Sequence, residues 1–285
     1  MKTPRAERLV DMTHYLIERP RTLVPLTFFA NRYSSAKSSI SEDLTILKKT
    51  LKERGVGLLE TIPGAAGGAK FYPYIILERE ADEFVNDMLK QVNDETRVLP
   101  GGYVYLSDLL GQPAILRQVG RLIATEYLNT KIEAVMTAAT KGVPLAAAVA
   151  EQLNVPFVIV RSGENKVTEG PTVSVNYLTG SSKHVEKMEL SRRSLPTGLN
   201  ILIVDDFMKA GGTINGMKTL AKEFESDVKG VAVFAEGRAN ERQVNDFTSL
   251  LHVDTNLDSG EVIKVQLGNY KENIFRGREN KIVRN

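Results

Sequence analysis

The chain of 285 residues contains no cysteine. Disulfides, zinc ribbons, iron–sulfur clusters and thiol nucleophiles are thereby excluded. Histidine is scarce too. His14, His184 and His252 are the only three, and their spacing fits neither a metal site nor a catalytic triad. Each reads as a surface or structural residue, and no metal site is expected. No apolar run approaches the roughly 18–20 residues of a membrane span, so no membrane partner is expected. The N-terminal segment MKTPRAERLVDMTHYL mixes charge through its apolar positions, unlike a signal peptide. With 42% hydrophobic and 25% charged residues the composition is that of an ordinary soluble globular protein, expected in the cytoplasm. The length suits one large domain or two ordinary ones, each able to bury a core.

What charge there is falls unevenly. Residues 1–74 hold 12 Lys+Arg against 7 Asp+Glu, whereas residues 75–285 hold 25 against 28. A basic head and a mildly acidic body suggest that the head meets a polyanion, although solvated faces also carry such an excess.

The pattern of apolar residues divides at the same place. In residues 5–18, Leu9, Met12, Leu16 and Ile17 recur at helical spacing, and Pro20 ends the run. A shorter helix is expected over 26–33 after Pro25. A third, capped by Ser34–Ser35, runs from Ala36 to about Arg54 with Ile40, Leu44, Leu47 and Leu51 on one stripe. Two extended stretches, 56–62 and 69–74, flank the turn-rich PGAAGG and read as a β-hairpin. Residues 75–95, with a charged helix over 78–92, look like a connector. Beyond them, helices at 113–128, 143–153 and 213–224 alternate with apolar strands at 132–138, 155–160, 200–204 and 228–235. That alternation argues a doubly wound α/β domain with a parallel sheet. The division expected is 1–74 and 75–285.

Three helices followed by a hairpin is the order of a winged helix-turn-helix domain. In such a domain the second helix of the pair enters the major groove of double-stranded DNA. Opposite the apolar stripe of that helix stand Ser38, Thr45, Lys49 and Lys52, with Lys37, Ser39 and Ser41 near its N-terminal tip. Small hydroxyls and amines can donate to base edges and phosphates. Arg5, Arg8, Lys37 and Lys70 are either phosphate contacts or plain solvated charges.

In the body, residues 201–216 read ILIVDDFMKAGGTING. An apolar strand delivers two acids, and a loop of small residues opens a helix. The uncapped N–H groups at that helix start and the Thr213 hydroxyl can cradle a phosphate, which Gly211 and Gly212 allow to approach closely. Asp205 and Asp206 are suited instead to accepting hydrogen bonds from the two hydroxyls of an adjoining ribose. With the intervening Phe207, Met208, Lys209 and Ala210, this stretch resembles the signature by which type I phosphoribosyltransferases hold PRPP (5-phosphoribosyl 1-diphosphate). A second strand–helix loop, Ala139, Thr140, Lys141 and Gly142, matches the place where that family holds pyrophosphate with backbone amides and a lysine. The polar stretch 161–182, with Arg161 and Lys166, resembles the family's flexible hood; its alternative is a surface β-hairpin.

Taken together, SAKSSISEDL, PGAAGG, LPGGYVYLSDLLG, ATKG, NKVTEG and DDFMKAGGTING resemble the purine operon repressor family of Gram-positive bacteria over nearly the full length. The resemblance implies a homodimeric transcription factor on paired operator boxes upstream of purine-synthesis genes, released by PRPP. Guanosine tetra- or pentaphosphate is implied as a competitor, and Tyr103 as a residue closing the pocket; read from the residues alone, Tyr103 packs a core or an interface equally well. No cofactor is required, although magnesium can accompany PRPP. Related 6-oxopurine transferases follow their two acids, three residues later, with an aspartate that handles a proton at the base. Lys209 stands there in this chain, and Ala210 replaces the usual threonine. A charged lysine cannot readily take a proton, so a binding pocket without catalysis is expected. The rival readings are an active purine phosphoribosyltransferase with an accessory head, and a scaffold whose body contacts other proteins.

Overall fold

A computed structural model describes residues 3–64, 67–75, 77–99, 103–162, 170–179, 184–255 and 262–276. The chain divides into two compact units between residues 80 and 81, with Gln152–Asn154 grouped with the first.

In the first unit, α1 (Arg5–Ile17), α2 (Leu26–Arg32) and α3 (Lys37–Glu53) pack on a three-stranded antiparallel sheet. Its strands are β1 (Leu23–Pro25), β2 (Gly57–Ile62) and β3 (Gly68–Pro73), in the order β1-β3-β2. This is the expected winged helix. Strand β1 was not legible in the sequence because three residues carry no periodicity. The core gathers Met12, Leu16, Phe29, Ile40, Leu44 and Leu59.

Two local expectations are corrected. The α3 N-cap is Ala36 and makes no side-chain bond. Ser34 and Ser35 instead close the end of α2, with Ser35 N donating to Ala30 O at 3.0 Å and Ser34 at φ +49°. Ile17 is 39% exposed, and the inward stripe of α1 is Arg8, Met12 and Leu16.

The second unit contains most of α4 (Glu78–Val92). The expected connector helix packs into this unit. Ala81, Val85, Met88 and Val92 are buried along one face. Asp82 accepts from Tyr270 Oη at 2.7 Å and Lys271 Nζ at 2.6 Å. Asn93 exchanges two bonds with the Val265 backbone, at 3.0 and 3.1 Å. After a 3-10 turn (Glu95–Arg97) come the short antiparallel strands β4 (Val98–Leu99) and β5 (Tyr103–Val104).

The remainder is α5 (Pro113–Glu126), β6 (Ala134–Ala138), α6 (Val143–Leu153), β7 (Phe157–Ser162), β8 (Thr172–Leu178), β9 (Val185–Ser191), β10 (Asn200–Met208), α7 (Gly212–Glu223), β11 (Asp227–Gly237), β12 (Thr248–Thr255) and β13 (Val262–Leu267), closed by a π-helical turn (Glu272–Arg276). The eight-stranded sheet runs β13-β12-β11-β10-β6-β7-β9-β8. The five strands from β12 to β7 are mutually parallel, and the flanking pairs are antiparallel. From β6 the chain winds through α6 to β7 on one side. It then returns to β10 on the other side and winds outward through α7 to β11. The order therefore reverses between β6 and β10. In an open α/β sheet the crevice outside the carboxyl ends of such a pair is where a ligand binds.

Candidate functional site

Strand β10 lies at the middle of the sheet, and Ile201, Leu202, Ile203 and Val204 are fully buried. Such an apolar run suits a parallel strand covered on both faces. The strand continues to Met208, beyond the five residues expected (200–204), and so carries Asp205 and Asp206 within the ladder. Gly211, at φ +85°, then makes the left-handed bend that caps α7, with no side chain capping the helix. A Cβ at Gly211 would stand 3.1 Å from Val244 Cβ, so both the backbone angle and the space favour glycine. The first turn of α7 thus offers backbone N–H groups in the manner of an anion cradle.

The loop after β6 closes on the same place. Ala139, Thr140 and Lys141 are exposed, whereas Gly142 is buried. A Cβ at Gly142 would come within 2.7 Å of Asp205 Oδ1 and 3.0 Å of Asp206 N. Thr140 Oγ1 is 3.3 Å from Asp205 Oδ1 and 3.3 Å from Asp206 Oδ1. Asp206 N donates to Asp205 Oδ1 at 3.0 Å. Burial pushes the Asp205 carboxyl well above the ordinary aspartate range, and the neighbouring charge of Asp206 pushes it further. The two sequence motifs, more than sixty residues apart, thus form one site at the switch point.

Other expected residues fall less simply. Met208 is 2% exposed and its side chain belongs to the hydrophobic core, not to the site. Phe207 and Lys209 lean towards the end of β11: a Cβ at Gly237 would lie 2.9 Å from Phe207 Cζ and 3.7 Å from Lys209 Cγ. Ala210 accepts from Gln243 N at 2.8 Å. The Tyr177 phenol donates to Glu186 Oε2 at 2.8 Å, and burial together with that carboxylate pushes it up to about 12. Arg161 is exposed at the end of β7, in register with Glu189.

The stretch expected as a hood contributes a β8–β9 hairpin that joins the sheet through β7. Lys166 and residues 167–169 lie outside the described residues. Tyr103 pairs with Leu99 through its backbone, and its side chain lies outside the described part. The loop carrying it is pinned by Arg97, which bonds both Asp108 carboxylate oxygens at 2.6 Å and Tyr105 O at 3.0 Å.

One supporting group escaped the sequence. Buried Glu236 pairs with Arg242, accepts from Ser249 Oγ at 3.0 Å, and faces His252 Nδ1 at 3.5 Å. Arg242 thereby anchors the loop whose Gln243 and Val244 brace 210–211. Nothing in the spacing of these residues announces the arrangement. Among the described residues no three acids or histidines converge as a metal site.

In the winged helix, Lys37, Ser38, Ser41, Thr45, Lys49 and Lys52 are exposed on α3, and Ser39 is partly so. Lys48, not singled out from sequence, is exposed with them. The acids nearest this face are paired, Glu53 with Lys49 at 3.8 Å and Glu42 with Arg5 at 3.8 Å. Lys70, in register with Glu60, lies 5.1 Å from the Tyr72 ring centre.

Arg8 is a correction. Its side chain is 7% exposed and holds the fully buried Asp43 of α3 through Nε at 2.9 Å and Nη2 at 2.8 Å. It is an internal tie between α1 and α3, not a phosphate contact. Arg5 shares Asp43 at 2.9 Å but remains half exposed.

Residues 4–73 match the family model of the bacterial purine repressor N-terminal domain, and residues 106–264 match the phosphoribosyl transferase domain. The chain is 51% identical to the purine biosynthesis transcriptional repressor PurR of Bacillus subtilis, over 98% of this chain and 99% of that one. It is 52% identical to the purine biosynthesis transcriptional activator PurR of Lactococcus lactis, over 93% and 97%. A solved adenine phosphoribosyltransferase from Thermoanaerobacter pseudethanolicus is 20% identical with a TM-score of 0.47, covering 53% of this chain and 87% of its own. Two domains in this order, with half of all residues shared along nearly the whole length, make the chain a member of the bacterial purine repressor family.

Proposed function

We propose that the protein represses purine-biosynthesis genes by binding operator DNA as a homodimer, and that PRPP bound between the 139–142 and 205–213 loops releases it. The observation that carries this is the acid pair Asp205–Asp206 at the reversal of strand order, faced by one loop and followed by an uncapped helix start. The helix start supplies N–H donors for the 5-phosphate, the acids take the sugar hydroxyls, and Lys141 with the 139–142 amides meets the diphosphate. Guanosine tetra- or pentaphosphate offers phosphates to the same N–H groups and lysine, with only one free ribose hydroxyl because its 3′-oxygen is esterified, and competes with PRPP for the pocket. Magnesium fits as an ion carried by the ligand's diphosphate, since this metal commonly takes one or two carboxylates plus phosphate oxygens.

The pocket binds without reacting. Lys209 stands where the related 6-oxopurine transferases place the aspartate that handles a proton at the base, and a charged lysine cannot readily take a proton. Incubation with PRPP, magnesium and each free purine should therefore yield no nucleotide at an enzymatic rate.

The relatives are named for opposite signs of regulation at nearly equal identity. Overall identity therefore does not set the sign. Repression follows from release by the pathway's own precursor: abundant PRPP clears the operator. For that, PRPP must bind the DNA-free form more tightly, and by linkage DNA must weaken PRPP binding by the same factor.

The test is a titration of PRPP into protein bound to labelled DNA from upstream of a purine-synthesis gene, at stated salt because phosphate contacts make affinity steeply ionic. PRPP should release the wild type. Asp205→Ala combined with Asp206→Ala should bind the DNA and ignore PRPP; a double variant still released would refute the assignment.

A further inference from the structure

We propose that Thr140 is a built-in competitor for the sugar site, its hydroxyl holding the Asp205–Asp206 pair until a ribose displaces it. The inference rests on reading that pair as a sugar-binding site.

A threonine side chain ends in an aliphatic alcohol, the functional group that a ribose presents. Thr140 Oγ1 stands 3.3 Å from one oxygen of each carboxylate. A hydroxyl has one proton to donate. It therefore serves both acids through one shared bond, longer than the roughly 2.7–2.8 Å of a good O–H···O contact. Gly142 N steadies the hydroxyl oxygen from behind, donating to it at 3.3 Å.

The loop does not depend on the hydroxyl alone. Thr140 N donates to Ala138 O at 2.8 Å and Ala139 N to Val160 O at 2.8 Å, bonds that remain when the long Gly142 N contact to the hydroxyl is lost. What brings the hydroxyl to the acids is the missing side chain at Gly142, where a Cβ would stand 2.7 Å from Asp205 Oδ1.

The exchange favours a sugar with two adjacent hydroxyls. A vicinal diol brings two protons to two carboxylates, replacing one long shared bond by two separate ones. Every ligand that reaches the acids must first release Thr140. Its observed affinity is lowered by the fraction of molecules in which Thr140 is engaged. Removing the hydroxyl should therefore tighten binding by one common factor, whatever else the ligand carries. A hydroxyl that contacted the diphosphate itself would behave in the opposite way, helping PRPP alone.

The experiment is calorimetric titration of the full chain with two probes, PRPP and ribose 5-phosphate. Wild type, Thr140→Val and Thr140→Ser are compared, with thermal unfolding to verify folding. A single net hydrogen bond sets the scale at about two- to tenfold. Thr140→Val should bind both probes more tightly by that one factor, and Thr140→Ser should restore wild-type affinity. If wild type binds and Thr140→Val binds either probe equally or more weakly, the inference falls and the pocket reading stands. If wild type binds neither probe, the pocket reading falls and takes the inference with it.

Discussion

Replacing Asp205 by asparagine should stabilise the protein while weakening its response to PRPP. Asp205 is 4% exposed and adjoins a second carboxylate. An ion so placed retains a desolvation cost of several kcal/mol after relaxation. The Asp206 N–H at 3.0 Å and the shared Thr140 hydroxyl at 3.3 Å return part of it. A charge-assisted bond is worth about 1.5–3 kcal/mol, which leaves a net burden on the order of 1–3 kcal/mol. Asparagine keeps the volume and the acceptor oxygen for Asp206 N–H and removes the charge. At about 2–4 °C per kcal/mol for a protein approaching this size, Asp205→Asn should melt several degrees above wild type at pH 7.5.

The pH dependence gives the sharper test. The native carboxyl titrates above its ordinary value of 3.8, so the folded state holds the proton more tightly than the unfolded chain. Its contribution to stability is complete below 3.8 and is lost as pH rises through the native value. The melting difference between variant and wild type should therefore be largest in the neutral range and vanish near pH 4. Differential scanning calorimetry from pH 4 to pH 8 measures it. A wild type as stable as the variant at pH 7.5, or a gap that ignores pH, would refute the reasoning.

Further outcomes follow from other contacts. Asp43→Ala should cost about 3–5 kcal/mol by leaving the buried Arg8 guanidinium unpaired, whereas Glu42→Ala, with a side chain 71% exposed, should change denaturant stability little. Asp43→Ala should lose operator binding at temperatures where the phosphoribosyl site of the same chain still gives heat with PRPP. Lys52→Gln should lower the slope of log affinity against log salt by about 0.9 if that side chain meets one phosphate, measured by anisotropy on labelled operator. Gly142→Ala forces a Cβ to within 2.7 Å of Asp205 Oδ1, so the variant should retain DNA binding and lose PRPP release in the same titration.

The amino-acid sequence by itself determined the two-part organisation, the helical stripe of α3 and the composition of the loops after β6 and β10. These are local signals: a period of 3.6, an apolar run ending in paired acids, and small residues before a helix. Tertiary structure decided what no local pattern carries. Arg8 belongs to the interior because Asp43, 35 residues away, is buried beside it. Met208 is core because its strand extends past the acids. Glu236 and Arg242 brace the loop before α7 through a fold-back that spacing does not reveal. Above all, the meeting of Thr140 with Asp205 and Asp206 depends on β6 and β10 being neighbours. Strand order is fixed by how the whole sheet buries its two faces, and only once it is fixed do distant loops share one crevice.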